Sequence, residues 1–414
     1  MDKKLKILFV NKFLYPRGGA ETYVFDLAGC LERQGHTVEY FGMEHSRNIV
    51  TNSQGLQVKN MEFRNKSLKQ VFYPFKIIYS IEAKKKIGKL IRAVRPDIVH
   101  LNNYNFQLTP SILYEIKKYN IPVVVTLHDF QLVCPNHMLY MEHVRKLCED
   151  CKGRKYSSCI NHRCIHGSRI KSVLGALEAR LYFGLRTYEK YVDCFIAPSH
   201  FLKNKIVEFG EQESRIKVIH NFVTHTGQDC NESREQYVLY FGRLSIQKGI
   251  RTLIETCRRL PGVNFVVAGR GELAGELAGI ENINYVGHKN GEELKNLIKN
   301  AMFSVCPSEC YENCPMSVLE SQMYGTPVIG ANIGGIPELV GDETDGLLFE
   351  PGNAEDLSQK IRFLAGNDRL LKEYSQRCLE KAKNFSIEKY SDTLMEIYQT
   401  AIQKHSDKCR QAAE

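Results

Sequence analysis

Short apolar runs rich in β-branched residues alternate with longer amphipathic stretches along most of this chain. The first forty residues set the rhythm: KILFV reads as a strand, NKFLYPRGGAE as a glycine-bearing loop, TYVFDLAGCLERQG as a helix and HTVEYFG as a second strand. Further strand candidates follow at 97–101 (DIVHL), 123–129 (VVVTLHD), 194–199 (CFIAPS) and 217–222 (KVIHNF), with helical stretches among them. Near-continuous apolar runs of this length belong to parallel strands covered on both faces, so the pattern predicts a doubly wound α/β domain. The polar stretch THTGQDCNESRE, from Thr224 to Glu235, has linker composition. A second alternation then begins at 237–244 (YVLYFGRL) and continues through 264–272, 283–288, 302–308 and 326–332. The expected organisation is an N-terminal domain over 1–223, a second α/β domain over 236–383 and a helical region over 384–414, with a cleft between the domains.

Length agrees, because 414 residues exceed what one compact core accommodates. The formal net charge of +9 is modest but uneven. Between Arg64 and Arg95 stand ten basic residues and one acidic residue, Glu82, interleaved with Phe72, Tyr73, Phe75, Ile77, Ile78 and Tyr79. That mixture suits amphipathic helices pressed on an anionic membrane surface, and equally a solvated helix face with a buried apolar side. No apolar run approaches the roughly 20 residues of a membrane span, and the opening MDKKLKILFV is too short in apolar residues for a signal sequence. A cytoplasmic location is expected, peripheral at a membrane at most, with no nucleic-acid partner.

Candidate chemistry concentrates in Ser308 to Glu338, SECYENCPMSVLESQMYGTPVIGANIGGIPE. Pro315 suits a first helical position, Met316 to Tyr324 are good helix formers, and Gly325 with Pro327 gives a stop. The helix then starts between Glu312 and Glu320, an E-x(7)-E spacing. Free N–H groups of Met316, Ser317 and Val318 would cradle a diphosphate at the positive end of the helix dipole, and each carboxylate would accept a pair of sugar hydroxyls. A surface helix with two ordinary glutamates carries the same letters. Gly18 and Gly19 follow the first strand without forming GxGxxG, so nicotinamide-dinucleotide binding has no direct support. Arg243 and Lys248, just past a strand's carboxyl end, suit two phosphates; His128 closes another strand and would donate a hydrogen bond into the cleft. Gly334 and Gly335 are expected to form a flexible loop on the same cleft, with Glu338 opening the next helix.

Together these elements resemble one family, the retaining glycosyltransferases of family 4, which share the two-Rossmann GT-B fold. The matching segments are GGAE (18–21), HD (128–129), APS (197–199), GRLSIQKG (242–249), AGRGE (268–272), YVG (285–287), YENCPMSVLE (311–320), GTPVIG (325–330), GGIPE (334–338) and DGLLF (345–349), in order across almost the whole chain. The resemblance implies that Arg243 and Lys248 hold the diphosphate of a UDP- or GDP-type sugar donor, with Met316 to Val318 amides beside them. It also implies Glu320 on the ribose, Glu312 and His128 on the transferred sugar, Gly19 at the donor and acceptor, and Val286 to His288 near the nucleobase. Transfer of a hexose with retention of configuration, to a glycan or lipid-linked acceptor in cell-surface polysaccharide synthesis, is the expectation. No DxD motif is evident, so no cofactor is expected for catalysis. A sugar-nucleotide epimerase of the same fold and a non-catalytic sugar-nucleotide-binding subunit are the rival readings.

Fourteen cysteines are more than a cytoplasmic enzyme needs as disulfides, and four cluster as Cys148, Cys151, Cys159 and Cys164, C-x2-C-x7-C-x4-C. Cys134 precedes them, and His137, His143, His162 and His166 are interspersed. The four thiols are candidate ligands of a structural zinc stapling an insertion over about 134–171; reduced thiols in a mobile acceptor loop are the alternative.

Overall fold

The computed structural model describes residues 4–60, 73–224 and 234–411. Before the linker come β1 (Lys6–Val10), β2 (Thr37–Phe41), β3 (Ile98–Leu101), β4 (Val123–Thr126), β5 (Tyr140–Met141), β6 (Lys146–Leu147), β7 (Cys194–Ala197) and β8 (Ile216–Val218). Six of them pair in parallel in the order β2-β1-β3-β4-β7-β8, while β5 and β6 form a separate antiparallel hairpin. After the linker, β9 (Val238–Arg243), β10 (Phe265–Arg270), β11 (Ile283–Gly287), β12 (Phe303–Cys306), β13 (Val328–Ala331) and β14 (Gly346–Phe349) pair in parallel as β11-β10-β9-β12-β13-β14. The order reverses between β1 and β3 in one sheet and between β9 and β12 in the other, and ligands of doubly wound sheets bind outside the strand ends at such points.

The strands form where expected because every residue of β3, β4, β12 and β13 is buried, as parallel strands packed on both faces require. β14 went unread as a strand: it has four residues and starts with Gly346, where an added Cβ would lie 2.3 Å from the Val328 carbonyl oxygen. The C-terminal helical region is not an appendage to the second domain. Helix Ile387–Gln411 crosses back and buries Ile387, Tyr390, Leu394, Tyr398 and Ala401 among Phe9, Tyr23 and Val124 of the first. Their spacing is one helical stripe. Hydrogen bonds seal that joint: Tyr390 Oη to Tyr23 Oη at 2.6 Å and Tyr398 Oη to His100 Nδ1 at 2.6 Å.

Residues 61–72 of the basic segment, including Arg64, Lys66, Lys69 and Phe72, lie outside the described residues. The rest forms helices Tyr73–Ile78 and Ile81–Val94, and the second buries Ala83, Ile87, Leu90, Ile91 and Val94 in the first domain's core. Its apolar face is thus occupied by its own protein; Phe75 and Ile81 stay exposed at 72% and 61%. No described helix is long and apolar enough to cross a membrane.

Candidate functional site

Beyond β9 the chain turns at Gly249, which has φ 69° and where an added Cβ would lie 1.7 Å from the Pro307 carbonyl oxygen. Only glycine allows that approach. The turn sets Lys248 against the loop after β12, where its Nζ bonds Glu312 Oε1, and the Ser308 hydroxyl donates to the same oxygen at 2.6 Å. Burial by itself would raise the Glu312 pKa, yet Lys248, Ser308 and Arg243 outweigh it and hold the carboxyl below its ordinary value. The Lys248 ammonium is likewise held above its ordinary value, because Glu312 outweighs burial. Lys248, expected on a diphosphate, is thus paired with Glu312.

The GGIPE loop supports this arrangement and is not the flexible element expected. Gly335 N–H donates to the Glu312 carbonyl at 2.7 Å, and Cβ atoms added at Gly334 and Gly335 would lie 2.4 Å and 2.0 Å from the carbonyl oxygens of Glu312 and Asn313. Two adjacent glycines let one backbone lie directly on another. Helix Met316–Met323 starts with Pro315 as its cap, one position later than read from sequence. The Val318 N–H donates to the Pro315 carbonyl at 3.1 Å and is therefore not a free donor. The Met316 and Ser317 amides have no protein acceptor among the described residues. Facing them is the start of helix Gly19–Arg33, where a Cβ added to Gly19 would sit 3.6 Å from Met316 Cγ. That ordinary contact means Gly19 is not required by crowding.

The two helix N-termini and Arg243 border an interdomain cavity of about 770 Å³. Two positive helix ends and two cations at one opening favour a polyanion. Glu320 lines the same cavity and is pushed up to about 7, first by burial and then by Asp26 on the opposite helix. Of Val286 to His288, His288 reaches the cavity wall while Val286 packs on the second domain's core.

His128 also lines the cavity, with its pKa lowered to about 4 by burial against a weaker opposing pull from Asp129. It is neutral near pH 7. Its Nε2 is 3.0 Å from Asn102 Oδ1, so this ring nitrogen is engaged by Asn102. Sequence reasoning missed Asn102 and gave no separate role to Asp129, a charged group at the same mouth. Asp129 pairs with His137 at 3.6 Å and accepts from Gln131 N–H at 2.9 Å. These contacts and Lys12 outweigh burial and keep Asp129 ionised.

Side chains also join the domains. Glu338 does open a short helix, but its carboxylate caps another one: it accepts from the His200 and Phe201 amides at 2.8 Å and 2.6 Å and from His220 Nε2 at 3.0 Å. Asn313 Nδ2 donates to the His128 carbonyl at 3.0 Å, and Tyr311 Oη donates to Glu149 at 2.7 Å.

The four cysteines named as zinc candidates are gathered only loosely. Cys148, Cys151, Cys159 and Cys164 share one small core, yet no three of their sulfurs lie within 4.8 Å of one another. The group that meets that criterion among the described residues is Cys148, Asp150 and His162. Cys151, Cys159 and Cys164 are instead buried beside Tyr156 and Ala176, because the one-turn helix Ser157–Asn161 and its flanks turn them inward.

The family signature of glycosyltransferase family 4 matches residues 17–226, and that of glycosyl transferases group 1 matches residues 228–385. An uncharacterised glycosyltransferase of Methanocaldococcus jannaschii is 25% identical over 418 aligned positions, covering 94% of this chain and 95% of that protein. Among solved structures, sucrose-phosphate synthase from Thermosynechococcus elongatus aligns with a TM-score of 0.73 at 16% identity, over 97% of this chain and 100% of that one. HepE of Anabaena, solved with UDP and glucose, aligns with a TM-score of 0.67 at 17% identity, over 96% and 100%. At these identities the structural likeness is one of fold.

Proposed function

This chain belongs to glycosyltransferase family 4 and has the GT-B fold, and from that premise we propose that it transfers a hexose from a nucleoside diphosphate sugar to a hydroxyl of a glycan or lipid-linked acceptor, with retention, in cell-surface polysaccharide synthesis. The observation that carries the reading is the Lys248–Glu312 pair, seated between two helix N-termini and beside Arg243 in the interdomain cavity. A donor diphosphate entering there takes Lys248, Arg243 and the Met316 and Ser317 amides, and frees the Glu312 carboxylate to accept from the sugar's hydroxyls. Glu320 accepts from the ribose. His128 hydrogen-bonds a hydroxyl of the transferred sugar. UDP bound to the structural relative HepE supports a UDP-type donor.

With Glu312 accepting from the sugar's hydroxyls and not placed on its anomeric carbon, attack from the face the diphosphate leaves is favoured over a double displacement. The bond from the sugar's anomeric carbon to the diphosphate oxygen breaks, the acceptor oxygen bonds to that carbon, and the acceptor proton passes to the departing diphosphate. No metal takes part in that step. Peripheral attachment at the cytoplasmic membrane face is supported by helix Arg169–Gly184, which exposes Ile170, Leu177 and Leu181 together with Arg169, Lys171 and Arg180, beside exposed Phe75. An apolar and basic face of this kind fits anionic lipid.

Thermal shifts with nucleoside diphosphates and their sugars identify the donor, and proton NMR of the product on a hydroxyl acceptor reads the anomeric configuration. An inverted product, or a glycosyl-enzyme trapped on any residue, refutes the same-face mechanism. Donor conversion without acceptor refutes transfer as the activity.

A further inference from the structure

The insertion between β4 and β7 is poorly supplied with ordinary core. Its buried cluster consists of Met141, Cys151, Tyr156, Cys159, Cys164, Ala176 and Ala179, and before helix Arg169–Gly184, which supplies the two alanines, its regular structure is two-residue strands and single helical turns. His137, Leu139, Arg145, Arg154, Arg163 and His166 all have φ between 49° and 65°, a region that non-glycine residues enter only when something else holds them. Small, irregular units of this kind are commonly stapled by a disulfide or a metal.

The ligand geometry for a metal is present at the edge of that core. Cys148 Sγ, an Asp150 carboxylate oxygen and a His162 ring nitrogen lie within 4.8 Å of one another, with His162 Nε2 2.8 Å from Asp150 Oδ2. Around one tetrahedral zinc, ligand atoms sit about 3.4–3.8 Å apart, so modest side-chain rotation closes the set. Cys164 follows His162 by two residues and packs in the same small core as Cys148.

We propose that the insertion binds one zinc ion through Cys148, Asp150, His162 and Cys164. Two thiol protons leave when the ion enters. Cys151 and Cys159, equal candidates on sequence spacing, remain core thiols. The placement ties the metal to the cleft: Glu149 stands between two ligands, and its carboxylate accepts from Lys205 at 3.1 Å and from Tyr311 at 2.7 Å, the residue preceding Glu312. A zinc at this point fixes the strap that joins the insertion to the donor-side loop.

The test is metal analysis of full-length protein expressed with added zinc and purified without chelator, with cobalt substitution to report thiolate coordination. One zinc per chain is expected, falling about tenfold or more in Cys148→Ser and in His162→Ala and unchanged in Cys194→Ser on β7. Chelated protein is expected to melt below the zinc-loaded form. Should the cysteine variant not fold, the wild-type stoichiometry and the cobalt spectrum still decide. Substoichiometric zinc in wild-type protein, full zinc in both ligand variants, or a denatured protein two thiols short because Cys159 and Cys164 are joined, each overturns the proposal.

Discussion

Replacing Glu312 by Gln keeps the side chain's shape and removes its charge, which separates what the carboxylate does for Lys248 from what it does for a sugar. At a contact of about 3 Å and an effective dielectric of 20, the pair attracts by about 5 kcal/mol before desolvation. Stranding one partner of a fully buried pair costs roughly 3–5 kcal/mol. Here the Lys248 side chain is 33% exposed and the Gln oxygen still accepts, so a loss of about 2 kcal/mol of unfolding free energy is the scaled expectation. Glu312 is held below its ordinary pKa, so its contribution is present above the unfolded value and fades as pH falls through the folded one; the variant's deficit is largest near neutral pH. Binding moves the other way. With no carboxylate competing for Lys248, UDP affinity by calorimetry should hold or rise by up to about tenfold, while turnover falls by about a hundredfold or more. Lys248→Met should lose UDP affinity. Weakened UDP binding in Glu312→Gln with turnover intact, or no change in either, refutes the division of labour between the two residues.

Glu320, raised to about 7, carries more protons folded than unfolded between pH 4.5 and 7, so its contribution to stability falls as pH rises through that window, by up to about 3 kcal/mol. Glu320→Gln should flatten that part of the melting profile, and parallel profiles of variant and wild type would contradict it. Donor hydroxyls that bond the ionised form should expel its proton, so UDP affinity of the wild type should rise from pH 5 to 7.5, and less so in the variant. Glu338→Gln removes the charged cap on helix His200–Glu208 and the His220 contact, and should cost about 1–2 kcal/mol and widen the small-angle scattering envelope; an unchanged envelope and melting point count against an interdomain role. Leu177→Glu with Leu181→Glu should abolish flotation with phosphatidylglycerol vesicles while sparing transfer to a soluble acceptor, and flotation equal to wild type refutes the membrane face.

The strands were readable because a fully buried parallel strand has to be an apolar run, and the helix start was readable to within one residue because Pro315 and the helix formers after it fix it locally. What the sequence did not disclose are contacts between segments far apart in the chain. Lys248 and Glu312 were placed on one ligand, and nothing in their local spacing says that they bond each other. Glu338 looks like any acid at a helix start, the usual complement to a helix dipole, yet it caps the helix at His200, 138 positions away. The last helix was legible as amphipathic, but periodicity names a buried face without naming the surface that buries it. Among the contacts that hold the two domains together are Glu338 to the helix start at His200, Asn313 to the His128 carbonyl, Tyr311 to Glu149, and Tyr390 to Tyr23. Glu312, proposed as a ligand of the donor sugar, is therefore flanked on both sides by residues whose partners lie in the other domain, so a donor bound there would act on the same short loop that joins the domains.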